Sequence, residues 1–421
     1  MVHKTVLPNG VRIVMEPISH VRSVALGIWV ATGSRDEEPA LTGVSHFIEH
    51  MLFKGTDKRT AKDLAEVLEA VGGQLNAFTS KEYTCYHAKV LDDHFDLALD
   101  VLADMFFHSR FEGEDIERER RVILEEIKMY EDSPDELVHD LLSDAMWPVS
   151  ALGRSILGTV ESIQAMQRER LLSHFQSEYS ADRTVIAIAG SIDPEKTLEK
   201  VKAYFAAMET SKQTYRRSRP DMLHKSVFQH KDVEQVQICL GTQGLSQEHR
   251  DIYAMHVLNN VIGGGASSRL FQEIRENRGL AYSVYSFHSA FSDSGMFGLY
   301  AGTSPDFAEE VMEISLREMA RIREEGIRPE ELRRTQEQIK GSLYLGLESV
   351  NSRMTRLGKS EVCYNRFVPP EEVIERVYAV TLDDVTKVAR DLWTPEQCAL
   401  AVVGAKPLAV ELSELLQKTG W

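Results

Sequence analysis

Four cysteines in 421 residues, Cys85, Cys239, Cys363 and Cys398, scattered and without a CxxC pair, exclude a disulfide framework and a thiolate metal site. Basic charge is also short. With 48 Lys and Arg against 65 Asp and Glu, the formal net charge is -17, which argues against nucleic acid or an anionic membrane as partner and leaves positively charged peptides as the attracted species. No apolar run approaches bilayer length. The opening MVHKTVLPNGVRIVMEP passes directly into an alternating strand pattern, with neither an apolar leader core nor an Arg- and Ser-rich amphipathic start. These absences set the expectation of a cytoplasmic protein with no nucleic-acid and no membrane partner.

The chain does have apolar content of 43%, enough at this length for two domains, each with a proper core. An internal repeat points the same way. Tyr179 to Gly190 matches Trp393 to Gly404 position for position at an offset of 214: an aromatic, a turn, an apolar strand, a closing Gly. Near the same offset, Val24, Leu26 and Ile28 alternate as Val236, Ile238 and Leu240 do, each set leading into a helix. The expected boundaries are an N-terminal domain over 1–210, a polar and basic linker over 211–222, and a C-terminal domain of the same fold over 223–421. Strands mixed with long helices such as Phe307 to Glu325 give an α+β class, each domain a mixed, mainly antiparallel sheet with helices on one face.

His46-Phe47-Ile48-Glu49-His50 carries the chemistry. Positions 46 and 50 are one helical turn apart, so both imidazoles can reach one metal ion with Glu49 beside them. This is the ligand pair and general base of a zinc hydrolase in the inverted order HxxEH. Thr42 reads as the helix N-cap and Gly55 as its terminator, with apolar residues at helical spacing from Val44 to Phe53. The second copy, reading YAMHVLNNVIGGG, has no such motif. A third ligand is expected on the acidic helical stretch 113–133. There Glu119 and Glu126 lie seven apart on one face, with Val122 and Ile123 making the element half-buried. Glu125 is the neighbouring rival, since a helix turns only one of two adjacent residues toward the metal.

HxxEH followed after 75 residues by Glu126 within ERERRVILEEIKMYEDSPDE resembles the pitrilysin/insulinase family of zinc peptidases, the inverzincins. The nearest branch is that of the bacterial processing peptidases, similar to the catalytic beta subunit of mitochondrial processing peptidase. The resemblance covers essentially the whole chain. It implies one Zn²⁺ per chain held by His46, His50 and Glu126, with Glu49 as general base and Glu119 supporting a ligand His from behind. It also gives a role to Gly72 to Ser80, which reads as a strand after a double-Gly turn. In the family this is an edge strand beside the metal, where Asn76, Ala77 and Phe78 take a substrate peptide as an added strand. Arg275 and Tyr282, beyond the Gly263–Ser268 loop, match a pair that holds substrate and steadies the developing oxyanion. That loop lacks the lysine and the spacing of a phosphate cradle. From the residues alone, Arg275 is equally a surface helix residue and Tyr282 an ordinary strand residue. Asp182, where relatives usually carry Asn, and the first half of MWPVSALGRSILGT depart from the family pattern outside the site.

The family builds a chamber from four such domains, and this chain supplies two, half of a clamshell. The implied assembly is a homodimer in which Arg275 and Tyr282 of one protomer complete the zinc site of the other. The expected function is a zinc-dependent endopeptidase acting on peptides or unfolded precursor segments inside a closed chamber. Two alternatives are a non-catalytic structural or partner subunit of a larger complex and a metal hydrolase with a non-peptide substrate. The ligand set also admits Mn²⁺ or Co²⁺.

Overall fold

The most apolar strands of the sequence become the centres of two sheets. In the computed structural model, which describes residues 1–211 and 217–421, the first sheet runs β1-β2-β6-β3-β5-β4. Its strands are β1 (His3–Val6), β2 (Arg12–Pro17), β3 (Ser23–Val30), β4 (Gln74–Thr79), β5 (Thr84–Leu91) and β6 (Thr184–Gly190). The second runs β7-β11-β8-β10-β9, from β7 (Ser226–His230), β8 (Val236–Gln243), β9 (Ala281–Ala290), β10 (Gly295–Thr303) and β11 (Ala399–Gly404). Both are mixed, mainly antiparallel sheets, with one parallel pair each, β2 with β6 and β11 with β7.

The repeat is visible in the register. Leu26 faces Ile188 across β3 and β6, and Ile238 faces Val402 across β8 and β11. The alternating triplets read from sequence therefore occupy matching places. The two copies of the closing apolar strand, β6 and β11, are wholly buried, and β4 and β9 hold corresponding edges.

Two compact units carry these sheets, but neither is a contiguous half of the chain. The first comprises residues 1–127, 155–216 and 344–368; the second comprises 128–154, 217–343 and 369–421. The division at 210 and 223 thus misses two exchanged segments, and the middle of the stretch read as linker, residues 212–216, lies outside the described residues. The physical reason is the second face of each sheet. Val24, Leu26 and Ile28 face the main helical layer, while their neighbours Ala25 and Trp29 join a separate cluster with Val350, Met354 and Leu357. A strand buried on both faces needs a cover on both. The helix Val350–Tyr364 supplies it in the first unit and the helix Pro134–Met146 in the second.

Glycines make room for these covers. A Cβ added at Gly27 would lie 2.5 Å from Met354 Sδ, and one at Gly241 would lie 2.6 Å from Met146 Sδ. Among the described residues no helix is long and apolar enough to cross a membrane.

Candidate metal centre

The helix Val44–Leu52 buries Val44, Phe47, Ile48, Met51 and Leu52, which leaves His46, Glu49 and His50 on its other face. Its first turn is not capped by Thr42, whose hydroxyl donates to Pro39 O at 3.0 Å. The N-cap is Gly43, in the left-handed region at φ 91°. The free N–H groups of Gly43 and Ser45 donate to the two oxygens of Glu37, at 2.8 and 2.9 Å. A carboxylate eight residues upstream thus does what a local cap would do, with favourable charge at the positive end of the helix. After Leu52 the chain turns out through Gly55, also at positive φ.

The helix Gly113–Glu131 buries Ile116, Glu119, Ile123 and Ile127. It brings Glu126 to the two histidines: Glu126 Oε2 lies 3.7 Å from His46 Nε2 and 3.6 Å from His50 Nε2. The ligand atoms of these three residues all fall within 4.8 Å of one another. Donors bound tetrahedrally at the usual zinc distances stand about 3.4 Å apart, so the spacing fits a shared ion. Two imidazoles and one carboxylate are a donor set that a zinc ion accepts. Glu125 is exposed and is not part of this group.

The groups behind the donors fix their states. His50 Nδ1 lies 3.1 Å from Glu119 Oε2. An ionised carboxylate only accepts, so Nδ1 carries the proton and Nε2 offers its lone pair. Burial works to raise the Glu119 pKa, but the hydrogen bonds from His50 and Lys54 overcome it and hold the carboxylate below its ordinary range. Lys54 Nζ sits 2.8 Å from Glu119 Oε1. His46 is pushed down to about 3, by burial first and then by His50, so its ring is neutral and able to ligate. Its buried Nδ1 has no hydrogen-bond partner among the described residues.

Glu49 is half-buried, and burial raises its pKa, opposed by a hydrogen bond from Thr79 and by His50. Thr79 Oγ1 donates to Glu49 Oε2 at 2.5 Å. Thr79 ends β4, which pairs with β5 alone and is the edge of its sheet. On that strand Asn76 is exposed, and its Oδ1 accepts the N–H of Ala77 at 2.8 Å. Phe78 instead packs edge-on against Trp29, with centroids 5.6 Å apart, which anchors the strand. A groove of about 820 Å³ beside β4 is lined by Phe53, Leu68, Asn76, His87, Lys89 and Asn351. The edge, the base and the three donors thus lie in one unit.

Residues 12–160 match the family described as Insulinase (Peptidase family M16), and residues 165–339 match the family described as Peptidase M16 inactive domain. The chain is 46% identical over 403 residues to the uncharacterized zinc protease YmxG of Bacillus subtilis, covering 96% of this chain and 98% of that one. The chain belongs to the M16 peptidase family.

A second M16 relative, the uncharacterized zinc protease SCO5738 of Streptomyces coelicolor, is 44% identical over 412 residues, covering 96% of this chain and 89% of that one. Among solved structures, a protease from Helicobacter pylori superposes with a TM-score of 0.91 at 21% identity, over 97% of this chain and all of that one. The peptidase M16 inactive domain from Pseudomonas fluorescens superposes at 0.89 and 20%, over 97% and 98%. These two show that the fold is the M16 fold.

Arg275 and Tyr282 of this M16 chain lie together in its second unit. Arg275 stacks its guanidinium 4.4 Å from the Tyr282 ring centroid and 4.8 Å from that of Phe271, and its Nη1 donates to Tyr282 O at 2.9 Å. Tyr282 is the second residue of edge strand β9 and is 78% exposed. Arg275 sits on a π-helical turn, Phe271–Glu276, a conformation the sequence did not announce and one frequent at functional sites. Sequence reasoning also passed over Glu37, Lys54 and Thr79. The signal for Thr79 was its place two residues beyond Ala77 on a strand already tied to the metal helix.

Proposed function

We propose that this M16 member is a zinc-dependent endopeptidase, with His46, His50 and Glu126 holding the metal and Glu49 as the general base. The convergence of three donor atoms from two helices, with a half-buried carboxylate beside them, carries this reading. Bound zinc supplies Lewis acidity toward a carbonyl oxygen and toward water. The remaining chemistry belongs to side chains. Glu49 takes a proton from the attacking water and returns it to the leaving amine, and its burial brings its basicity closer to that task. Glu119 keeps His50 in the ligating tautomer. Asn76 and Ala77, on the open edge of β4, take the peptide backbone as an added strand, a mode tolerant of side-chain sequence.

Arg275 and Tyr282 are assigned to the substrate backbone and the developing oxyanion. The assembly that brings them there is a homodimer enclosing a chamber, with two equivalent sites completed between protomers. The match of residues 165–339 to a domain described as inactive fits this division of labour. A scaffold subunit would have no need of a complete donor set and base.

The deciding experiment is cleavage of a quenched fluorescent basic peptide by the wild type and by Glu49→Gln, with metal content measured on both. Zinc near one per chain in both proteins, with turnover lost only in the variant, is the expected result. Bound zinc without cleavage of varied peptides would favour the scaffold reading, and no zinc after metal-replete preparation would remove the basis of the peptidase reading.

A further inference from the structure

Among the described residues of edge strand β4, Thr79 is the one that hydrogen-bonds to Glu49. Its hydroxyl donates to Glu49 Oε2 at 2.5 Å, while Glu49 Oε1 makes no hydrogen bond among the described residues. The two oxygens of Glu49 are therefore not equivalent. One is engaged by a short charge-assisted bond; the other is left to receive a proton.

The donor is held firmly. Thr79 pairs with Thr84 at the end of the β4–β5 ladder, directly before the turn Ser80–Tyr83. That turn is closed by Ser80 N–H to Tyr83 O at 2.9 Å and by the Ser80 hydroxyl to the same oxygen at 2.8 Å. It is tied in turn to the segment leading into the metal helix: Ser34 N–H donates to Ser80 O at 3.1 Å, and Arg35 N–H to Lys81 O at 2.7 Å. A Cβ at Gly33 would lie 2.2 Å from Ser80 O, so this approach is available to glycine alone. Arg35 and Glu82 then lock the far side with an ion pair at 2.6 Å, both side chains about 5% exposed or less. Phe78, the residue before Thr79, is pinned against Trp29. The hydroxyl thus projects from a rigid element, as a group that sets catalytic geometry requires.

We infer that Thr79 is a positioning residue for Glu49, fixing the carboxylate so that Oε1 faces the reacting water. It also makes the strand that takes the peptide and the strand that orients the base the same strand. This rests on the peptidase reading above. A carboxylate on three freely rotating torsions would sample many orientations, and small misplacements of a reacting group are expensive in rate. The role acts on the chemical step and leaves peptide binding through Asn76 and Ala77 intact.

The test compares wild type, Thr79→Val and Thr79→Ser on the same quenched peptide, with metal content, melting temperature and crystal structures of the metal-free proteins. Valine keeps the shape and removes the hydroxyl; serine restores it. The expected result for Thr79→Val is a fall in kcat of about 10- to 100-fold, the loss of one hydrogen bond to a charged group. KM and zinc per chain stay unchanged, and Glu49 is displaced in the crystal. Thr79→Ser should recover kcat to within about threefold and return Glu49 to its place. A Thr79→Val enzyme with wild-type kcat, or with Glu49 unmoved, overturns the inference. So does a loss of activity that serine fails to restore or that follows loss of zinc or of folding, since that marks a structural role. An active Glu49→Gln enzyme would instead remove Glu49 from the base role, and the Glu49 position in the metal-free crystals would still decide whether Thr79 sets it.

Discussion

Replacing Glu119 by Gln removes one negative charge and little volume, and it tests how much of the metal affinity is held behind the donor atoms. Glu119 is 2% exposed and receives His50 Nδ1 at 3.1 Å on one oxygen and Lys54 Nζ at 2.8 Å on the other. A carboxylate accepts on both sides, so it forces His50 to present its Nε2 lone pair. An amide accepts on one side only. If its oxygen turns to Lys54, its NH₂ faces His50 and drives the ring into the tautomer that cannot ligate through Nε2. If its oxygen turns to His50, Lys54 is left facing a donor. Outer partners of this kind are worth about 10- to 100-fold in metal affinity, or roughly 1.4 to 2.7 kcal/mol. The assay is competition for zinc against a fluorescent chelator at neutral pH, repeated with peptidase activity at saturating zinc. The expected pattern is weaker zinc binding with most activity restored by excess metal. Affinity within twofold of wild type would show that the ring orientation is set elsewhere, and the role given to Glu119 would fall.

Three further outcomes follow from other parts of the molecule. Glu331, 1% exposed, is held down to about 2 because the hydrogen bonds from Arg269 and Arg328 outweigh its burial. Its folded pKa lies below the unfolded one, so its stabilisation is complete above about pH 4.5 and is lost as pH falls toward 2, about 3 kcal/mol in all. Urea titrations at pH 7, 4 and 3 should show Glu331→Gln weakened most at pH 7 and flatter through the acid range; parallel pH profiles would refute this. Gly358→Ala places a Cβ 2.2 Å from the ring of fully buried Trp29 and should cost about 1–3 kcal/mol. The homodimer is tested by mixing His50→Ala with Arg275→Ala subunits, where partial recovery of cleavage is expected if sites form between chains and none if they do not.

The grouping of the candidate metal residues was legible because it depends on local periodicity. His46, Glu49 and His50 share a helix, and 3.6 residues per turn decides where they point. Glu126 needed a second helix to arrive at the right depth, which the pattern of Ile116, Ile123 and Ile127 encodes. The supporting contacts were harder to see. Glu37 caps its helix from beyond Thr42, because a buried carboxylate reaches two N–H groups and a hydroxyl only one; no cap rule looks that far upstream. Lys54 and Thr79 are defined by what stands opposite them in space, and sequence separation does not report that.

The exchanged helices show why the repeat was readable while the boundaries were not. A duplication leaves its trace in strands, where register fixes each side chain to a face, and Leu26 with Ile188 still answers Ile238 with Val402. What covers the opposite face is chosen by packing. The near fit of Gly27 to Met354 and of Gly358 to Trp29 is a relation between residues far apart in the chain, and each partner alone reads as an unremarkable strand or helix residue. The Gly358→Ala prediction can be sharpened on this basis. Among the described residues the buried Trp29 Nε1 has no hydrogen-bond partner, so Trp29→Phe removes an unsatisfied donor and also opens space beside residue 358. If the contact is the reason for the glycine, the double variant Gly358→Ala/Trp29→Phe will be more stable than the sum of the single changes by at least about 0.5 kcal/mol, a coupling that distant sites do not show. Additive changes in urea midpoint would mean that the methyl group added at position 358 is accommodated by the helix shifting as a whole, and that Trp29 does not dictate the glycine.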